Sequence, residues 1–261
     1  MHPRPKAVIF DWAGTMIDFG SRAPVIALCA LFDEAGVPIS EEEARAEMGM
    51  AKSDHIRALL TKPRISAAWQ DRHGHAPDEK DAQQLFTRIA PMMRDAARNC
   101  AVLIPGAADV TAELRADGVR IGSCTGYTRE MMADILPLAE QQGYKPEVVV
   151  CAGETAVGRP SPLMLWKNLV ELGAWPATAC VKVDDADVGI AEGRAAGVWT
   201  VGIAASGNRV GLSAEALAAL GSAERSQRIE AARNALLAAG AHMVIDTVAD
   251  LPQALRQLQI G

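Results

Sequence analysis

The sequence predicts an α/β fold, a Rossmann-like parallel sheet core interrupted by one all-helical insertion, on three observations. From about residue 101 onward, short apolar runs alternate with segments of helical spacing, the pattern of a sheet covered by helices on both faces. An isolated run of the same kind stands near the start, at residues 6–10, cut off from the others by a long stretch with almost no strand character. Several of the runs also end on Asp or Thr, and open parallel sheets bind ligands at the carboxyl ends of their strands.

The elements follow in order. Residues 6–10 read as a buried strand ending at Asp11, with WAGT as the loop behind it. The helical stretch, residues 23–97, contains PVIALCALFDEAG, SEEEARAEMGM and KSDHIRALL. Ser40 with Glu43 three residues on predicts a capping box at the start of the second of these helices. After Ile104-Pro105-Gly106, a helix over 108–117 stops at Gly118 and a strand covers 119–124. A helix over 129–142 stops at Gly143, with Pro137 expected to kink or shorten it. Strand 148–151, helix 162–172, strand 180–184, helix 190–196 and strand 198–204 continue the alternation. A helix-rich tail over 213–239 leads to a last strand at 242–246 and a closing helix from Val248. The expected division is a core domain over 1–20 and 101–261 with a helical domain over 21–100.

Composition limits the function classes. The chain has 261 residues, 49% hydrophobic and 22% charged, with a net charge of −6. That gives no basic footprint, so nucleic acid is not an expected partner. An anionic substrate would need locally concentrated cations, because the overall field repels it. Five cysteines are scattered without a CxxC pair, which predicts neither a disulfide framework nor a zinc site and fits a reducing compartment. The opening MHPRPKAVIFDWAG holds an apolar run too short for a signal peptide or a membrane span. The expectation is a cytoplasmic protein without membrane association.

Asp11, Thr125 and the pair Asp184-Asp185 stand at predicted strand ends, with Arg159 in a loop after another. One carboxylate ending a strand is often only a helix cap; the coincidence of all of them carries more weight. In DWAGT, SCTGY, GRP and KVDDAD they resemble the haloacid dehalogenase superfamily of phosphoryl-transfer enzymes. The resemblance implies Asp11 as nucleophile, Thr125 as a phosphate-gripping residue, Arg159 as the basic residue and Asp185 as an acid binding Mg²⁺. It adds Asp11 itself and the Ala13 carbonyl to the metal ligands, and implies an inserted helical cap of the C1 type. A carboxylate attacks phosphorus only if charge repulsion is cancelled, which Mg²⁺ and a cationic side chain achieve. One departure is informative. Most phosphatases of the superfamily carry a second Asp two residues after the nucleophile, as general acid for an alkoxide. Here that place holds Ala13, so the leaving group should be one that needs no such acid.

Within the helical stretch, Met48, Lys52 and His55 are spaced i, i+4, i+7 and share one face if the helix is continuous there. Taken alone they read as a solvated surface face. In the order DWAGT, MGMAKSDHIRAL, TGYTREMM, QGYKP, GRPSP and EGRAAGVWTVG, the chain resembles the phosphonoacetaldehyde hydrolase (phosphonatase) family over nearly its whole length. That resemblance implies a homodimeric enzyme of 2-aminoethylphosphonate degradation that converts phosphonoacetaldehyde to acetaldehyde and phosphate. Lys52 would form an imine with the substrate aldehyde, and Asp11 would take the phosphoryl group as the enamine departs. At a reference pKa of about 10.4 only about one lysine in a few thousand is neutral at pH 7, so burial near metal and Arg159 is expected to lower Lys52. His55 would move protons during imine formation, or serve only in helix packing. Met48 would form a soft hydrophobic wall. The N–H groups of Gly126 and Tyr127 would join Thr125 on the phosphoryl oxygens, with the Tyr127 ring open to a packing role, as is Trp12. Some members of the family have Gly-Asp with a further Asp four residues on. Here those places hold Asp184, Asp185 and Gly189, which makes Asp185 the metal ligand, puts Asp184 behind it and leaves Asp187 open. The alternatives are a phosphatase or sugar-phosphate mutase of the same superfamily, or an inactive binding protein. Ala13 and Lys52 speak against the former, and the presence of Asp11, Thr125, Arg159 and Asp185 against the latter.

Overall fold

The computed structural model describes residues 4–46, 48, 52–258 and 260. The chain divides into two compact units, Met1–Arg22 with Cys100–Gly261, and Ala23–Asn99. The first is built on six parallel strands: β1 (Ala7–Phe10), β2 (Arg120–Thr128), β3 (Val148–Ala152), β4 (Cys180–Asp184), β5 (Trp199–Ile203) and β6 (Met243–Ile245). Their spatial order is β3-β2-β1-β4-β5-β6. The isolated first strand therefore lies in the middle. It pairs Phe10 with Ser123 of β2 on one side and with Val183 of β4 on the other. Every residue of β1 and β4 is buried, which is why β1 reads as a continuous apolar run and β4 as one interrupted by Lys182 before it ends at Asp184.

The connecting helices follow the expected alternation, with shifted ends. Helix α6 (Ala107–Ala116) precedes β2, α7 (Arg129–Gln141) precedes β3, α8 (Leu163–Leu172) precedes β4 and α9 (Asp187–Ala196) precedes β5. Helices α10 (Ala214–Ala219) and α11 (Ser222–Ala238) lead to β6, and α12 (Leu251–Leu255) closes the unit. Pro137 does not shorten its helix: α7 runs four residues past it. Thr128 caps α7 by accepting the Met131 N–H on its hydroxyl at 3.4 Å. Strand β2 runs to Thr128, farther than the apolar pattern predicts, with a register shift against β3 between Thr125 and Thr128.

The second unit holds α1 (Ala23–Glu34), α2 (Glu41–Arg45), α3 (Lys52–Thr61), α4 (Pro63–His73) and α5 (Glu79–Asn99). Both bonds of the Ser40–Glu43 capping box are present, at 2.9 and 3.1 Å. Helix α5 packs on α1 and α3 and buries Leu85, Ile89, Met93 and Ala96, a stripe at helical spacing. Each large member of such a stripe contributes about 1.5–3 kcal/mol. The exposed ion pairs Arg57–Glu79 and Arg64–Glu43 add at most about 1 kcal/mol each. Of the expected face of Met48, Lys52 and His55, Met48 lies in a turn, its N–H on the Arg45 carbonyl at 3.0 Å, while Lys52 and His55 belong to α3. Residues 49–51 lie outside the described residues.

Candidate active site

Strand pairing brings the acidic residues of the first unit together. Asp11 follows the last residue of β1 and donates its N–H to the Val183 carbonyl at 2.9 Å, which sets it beside the end of β4, where Asp184 and Asp185 stand. Carboxylate oxygens of Asp11, Asp184 and Asp185 all lie within 4.8 Å of one another, and all three residues are buried. Behind Asp11 the chain turns tightly, with the Trp12 carbonyl accepting the N–H groups of Met16 at 2.8 Å and Ile17 at 3.0 Å. Gly14 in that turn has φ +82, and a Cβ there would lie 2.3 Å from Asp185 Oδ2. The turn thus holds the backbone against the Asp185 carboxylate. Ser206 Oγ donates to the Gly14 carbonyl at 2.8 Å, and Asn208 N–H donates to Asp185 Oδ2 at 2.7 Å.

Two cations face these acids. Arg159 Nη1 lies 2.8 Å from Asp11 Oδ1 and 3.6 Å from Asp184 Oδ2. Its Nη2 donates to the Cys124 carbonyl at 2.6 Å, and its Nε donates to Glu192 Oε2 at 3.2 Å. Lys182, fully buried inside β4, lies 3.1 Å from Asp184 Oδ2 and 3.4 Å from Glu192 Oε2. Burial alone would discharge Lys182, yet Asp184 and Glu192 keep its pKa raised. For Arg159, too, burial is outweighed by Asp184, Asp11 and Glu192.

The group holds four carboxylates against two side-chain cations, a deficit of two positive charges. Burial, then the Asp184 charge, pushes Asp11 up to about 6 despite Arg159 and Lys182. Burial, then Asp11 and Asp184, holds Asp185 well above the usual carboxylate range. The donor set of clustered carboxylate oxygens, and the two missing charges, fit one hard divalent cation of the Mg²⁺ type. Without a cation, the raised Asp11 pKa sets a sign. Stability from this group is fully present below the ordinary value of 3.8 and is lost as pH rises through about 6. A divalent cation should therefore raise the melting temperature more at about pH 8 than at about pH 5, by several degrees at saturation. Thermal melts with Mg²⁺ and with EDTA at both pH values check this; an equal shift at both would contradict it.

The other core residues divide. Thr125 is buried at the end of the regular part of β2, and its hydroxyl accepts the Tyr127 N–H at 3.1 Å. That N–H is therefore engaged locally and is not free for a phosphoryl oxygen in this arrangement. Gly126 is exposed, with open space around its Cα. The Tyr127 ring is buried. Trp12 packs 5.0 Å from Tyr144 and donates its indole N–H to Ser123 Oγ at 2.8 Å. Asp187 is not one of the three clustered carboxylates and is half-exposed in an ion pair with Arg209. Sequence reasoning missed Lys182 and Glu192. The available signal was a lysine two positions before Asp184, on the same face of a strand whose other members are apolar.

In the helical unit, Lys52 is the first residue of α3 and is partly buried. Burial pushes its amine down to about 8. His55 lies one turn on and is fully buried, beside Ile56 and Leu59 in sequence. Met48 is partly buried.

A model of the haloacid dehalogenase-like hydrolases matches residues 5–197. The chain is 51% identical over 246 residues to the phosphonoacetaldehyde hydrolase of Paraburkholderia xenovorans, covering 94% of this chain and 92% of the relative. It is 40% identical to that of Bacillus cereus over 97% of this chain and 96% of the relative. The crystal structure of a phosphonoacetaldehyde hydrolase-like protein from Oleispira antarctica matches with a TM-score of 0.88 and 44% identity, covering 96% of this chain and 91% of that one. The chain belongs to the phosphonoacetaldehyde hydrolase family. It is an enzyme, a hydrolase of the haloacid dehalogenase type. For a phosphonoacetaldehyde hydrolase family member, the turn after β1 is then a sensitive place. Gly14→Ala would force both a left-handed backbone on a residue with a Cβ, at about 1–2 kcal/mol, and a displacement of Asp185. Lowered thermal stability together with weakened Mg²⁺ binding is the expected outcome, read by melting and calorimetry.

Proposed function

We propose that the enzyme hydrolyses the C–P bond of phosphonoacetaldehyde to acetaldehyde and phosphate, as a step of 2-aminoethylphosphonate degradation. One observation carries the reading: Lys52 has its amine pushed down to about 8 by burial, in a chain that presents a buried Asp11–Arg159 pair but only Ala13 where an acid for an alkoxide would stand. At pKa about 8, roughly one lysine in ten is neutral at pH 7, against about three in ten thousand at 10.5.

The chemistry requires such an amine. A C–P bond breaks heterolytically only if the carbon can delocalise the departing electron pair. Neutral Lys52 adds to the aldehyde and loses water to give an iminium. Asp11 attacks phosphorus, the C–P pair moves into the enamine, and phosphorus is transferred to the carboxylate. Water then hydrolyses the aspartyl phosphate and, after protonation at carbon, the imine. Arg159 meets the phosphoryl oxygens opposite Asp11, and Thr125, with Gly126 and Tyr127, holds the remaining ones once its own turn opens to the anion. Asp11, Asp185 and the Ala13 carbonyl are the proposed Mg²⁺ ligands; when bound, Mg²⁺ supplies charge neutralisation for the approach of carboxylate to phosphate. His55 moves protons during imine formation, and Met48 walls the apolar side. An enamine carbon needs no proton at the moment of cleavage, which agrees with Ala13.

The helical unit acts as the C1-type cap in this reading, within a cytoplasmic homodimer. A reducing setting agrees with five cysteines that are all free. No described helix is long and apolar enough to cross a membrane. The direct test is incubation with phosphonoacetaldehyde and Mg²⁺, following acetaldehyde with a coupled dehydrogenase and phosphate in parallel. Equal release of both products supports the reading. Phosphate release from simple phosphomonoesters, with none from phosphonoacetaldehyde, would overturn it in favour of a phosphatase.

A further inference from the structure

Glu192 and Lys182 are fully buried and opposite in charge, yet folding does not call for them. The desolvation of a buried ion pair offsets its attraction, and well-packed apolar residues often replace such pairs without loss of stability. This pair is also poorly satisfied. Glu192 Oε1 and Lys182 Nζ make no hydrogen bond among the described residues, and Lys182 Nζ lies 3.4 Å from Glu192 Oε2 and 3.1 Å from Asp184 Oδ2. The helix gives something up as well. Residue 193, inside α9, is glycine, the poorest helix former after proline. A Cβ there would lie 2.5 Å from Thr200 Cγ2 and 3.1 Å from Lys182 Cβ. Its absence lets α9 lie close against β4 and β5 and sets the neighbouring Glu192 carboxylate between Lys182 and Arg159. What Glu192 does contribute is one hydrogen bond: its Oε2 accepts the Arg159 Nε–H at 3.2 Å. The guanidinium is a planar fork. Its Nη2 donates to the Cys124 carbonyl at 2.6 Å, and its Nη1 lies 2.8 Å from Asp11 Oδ1. With the Cys124 carbonyl alone, the plane could swing about a single bond. The second anchor at Nε removes that freedom and leaves Nη1 to face Asp11.

We propose that Glu192, charge-balanced by Lys182 and brought in by the close approach of α9 at Gly193, is a positioning residue that holds the Arg159 guanidinium by its Nε, so that Nη1 stays aimed at the phosphoryl group Asp11 receives. This rests on the function proposed above, in which Arg159 meets the phosphoryl oxygens. Glu192 touches neither substrate nor Asp11 and acts through Arg159 alone. The buried pair is therefore kept for orientation and not for stability, and the two can be separated by experiment.

The test compares four full-length proteins: wild type, Lys182→Met/Glu192→Leu, Arg159→Lys, and the triple variant that combines them. Lys182→Met/Glu192→Leu removes one charge of each sign, so the net charge of the buried group is unchanged. It should melt within a few degrees of wild type, while kcat for phosphonoacetaldehyde falls about 10- to 100-fold, the scale of a misplaced catalytic group, and KM changes by less than about threefold. In the Arg159→Lys background the same two substitutions should change kcat by less than about twofold, because lysine has no Nε for Glu192 to hold; such non-additivity is expected of groups that act on one another. The Arg159 Nε–H resonance of ¹⁵N-labelled protein, assigned by its absence in Arg159→Lys, gives a readout that needs no turnover: it should shift and exchange faster with solvent in Lys182→Met/Glu192→Leu. If that double variant does not fold, Glu192→Gln, which keeps the volume and removes the charge, carries the same measurements. Wild-type kcat in the double variant, or an equal loss in both backgrounds, would overturn the proposal while leaving the proposed function intact. A wild-type protein that does not cleave phosphonoacetaldehyde would overturn the function, and an Nε–H resonance unchanged between wild type and the double variant would then overturn the positioning role as well.

Discussion

Lys52→Arg should lose acetaldehyde release from phosphonoacetaldehyde by about 10⁴-fold or more, the scale on which loss of a covalent catalyst is felt. Guanidinium keeps the positive charge and much of the length of the lysine side chain, but it cannot condense with an aldehyde. Without the iminium, the electron pair of the C–P bond has nowhere to go. The variant should keep its fold, since Lys52 begins α3 and is only partly buried, and it should keep Mg²⁺ binding, since the carboxylates concerned are in the other unit. Steady-state turnover, a melting curve and a binding isotherm on one preparation check all three. Turnover near wild type would remove Lys52 from the mechanism.

The second large effect belongs to Asp11. Asp11→Asn removes the nucleophile and the negative partner of Arg159 at 2.8 Å. Phosphate release should fall by about 10⁴-fold or more. The two variants should separate the two halves of the chemistry: with Asp11→Asn, Lys52 still condenses with the aldehyde, whereas with Lys52→Arg no covalent bond to the substrate forms. One charge also leaves a crowded acidic group, so the cation-free Asp11→Asn protein should melt no lower than wild type at neutral pH. Rapid-quench measurement of phosphate, set beside trapping of the lysine adduct, distinguishes the two blocks. Loss of the adduct in Asp11→Asn would show that the halves are not independent.

The parallel core was legible because its strands are buried on both faces, so AVIF and CVKVD announce themselves without reference to the rest of the chain. The acids at their ends were legible for the same reason: an ionisable residue closing an apolar run is conspicuous. What the pattern could not carry was tertiary. Lys182 reads as an interruption of a strand until β4 is seen between β1 and β5, where it has no water and must find Asp184 and Glu192. Asp184, read as standing behind Asp185, lies in the same group of carboxylates as Asp11 and Asp185. Gly189 reads as an ordinary helical glycine until the Asp184 carboxyl is found against its Cα. In the helical unit, α3 starts at Lys52, and spacing alone did not reveal that Met48 stands in a turn. The burial of Lys52, which decides its chemistry, depends on packing and not on the letters around it.

Borohydride trapping puts the central claim to the most direct test. Phosphonoacetaldehyde and sodium borohydride are added together to the wild-type enzyme, and the digested protein is read by mass spectrometry. A reduced, substrate-derived adduct on the peptide containing Lys52, absent when substrate or borohydride is omitted, is the predicted result. Undiminished acetaldehyde production in an unreduced control, with no adduct on Lys52 in the trapped sample, would contradict the account.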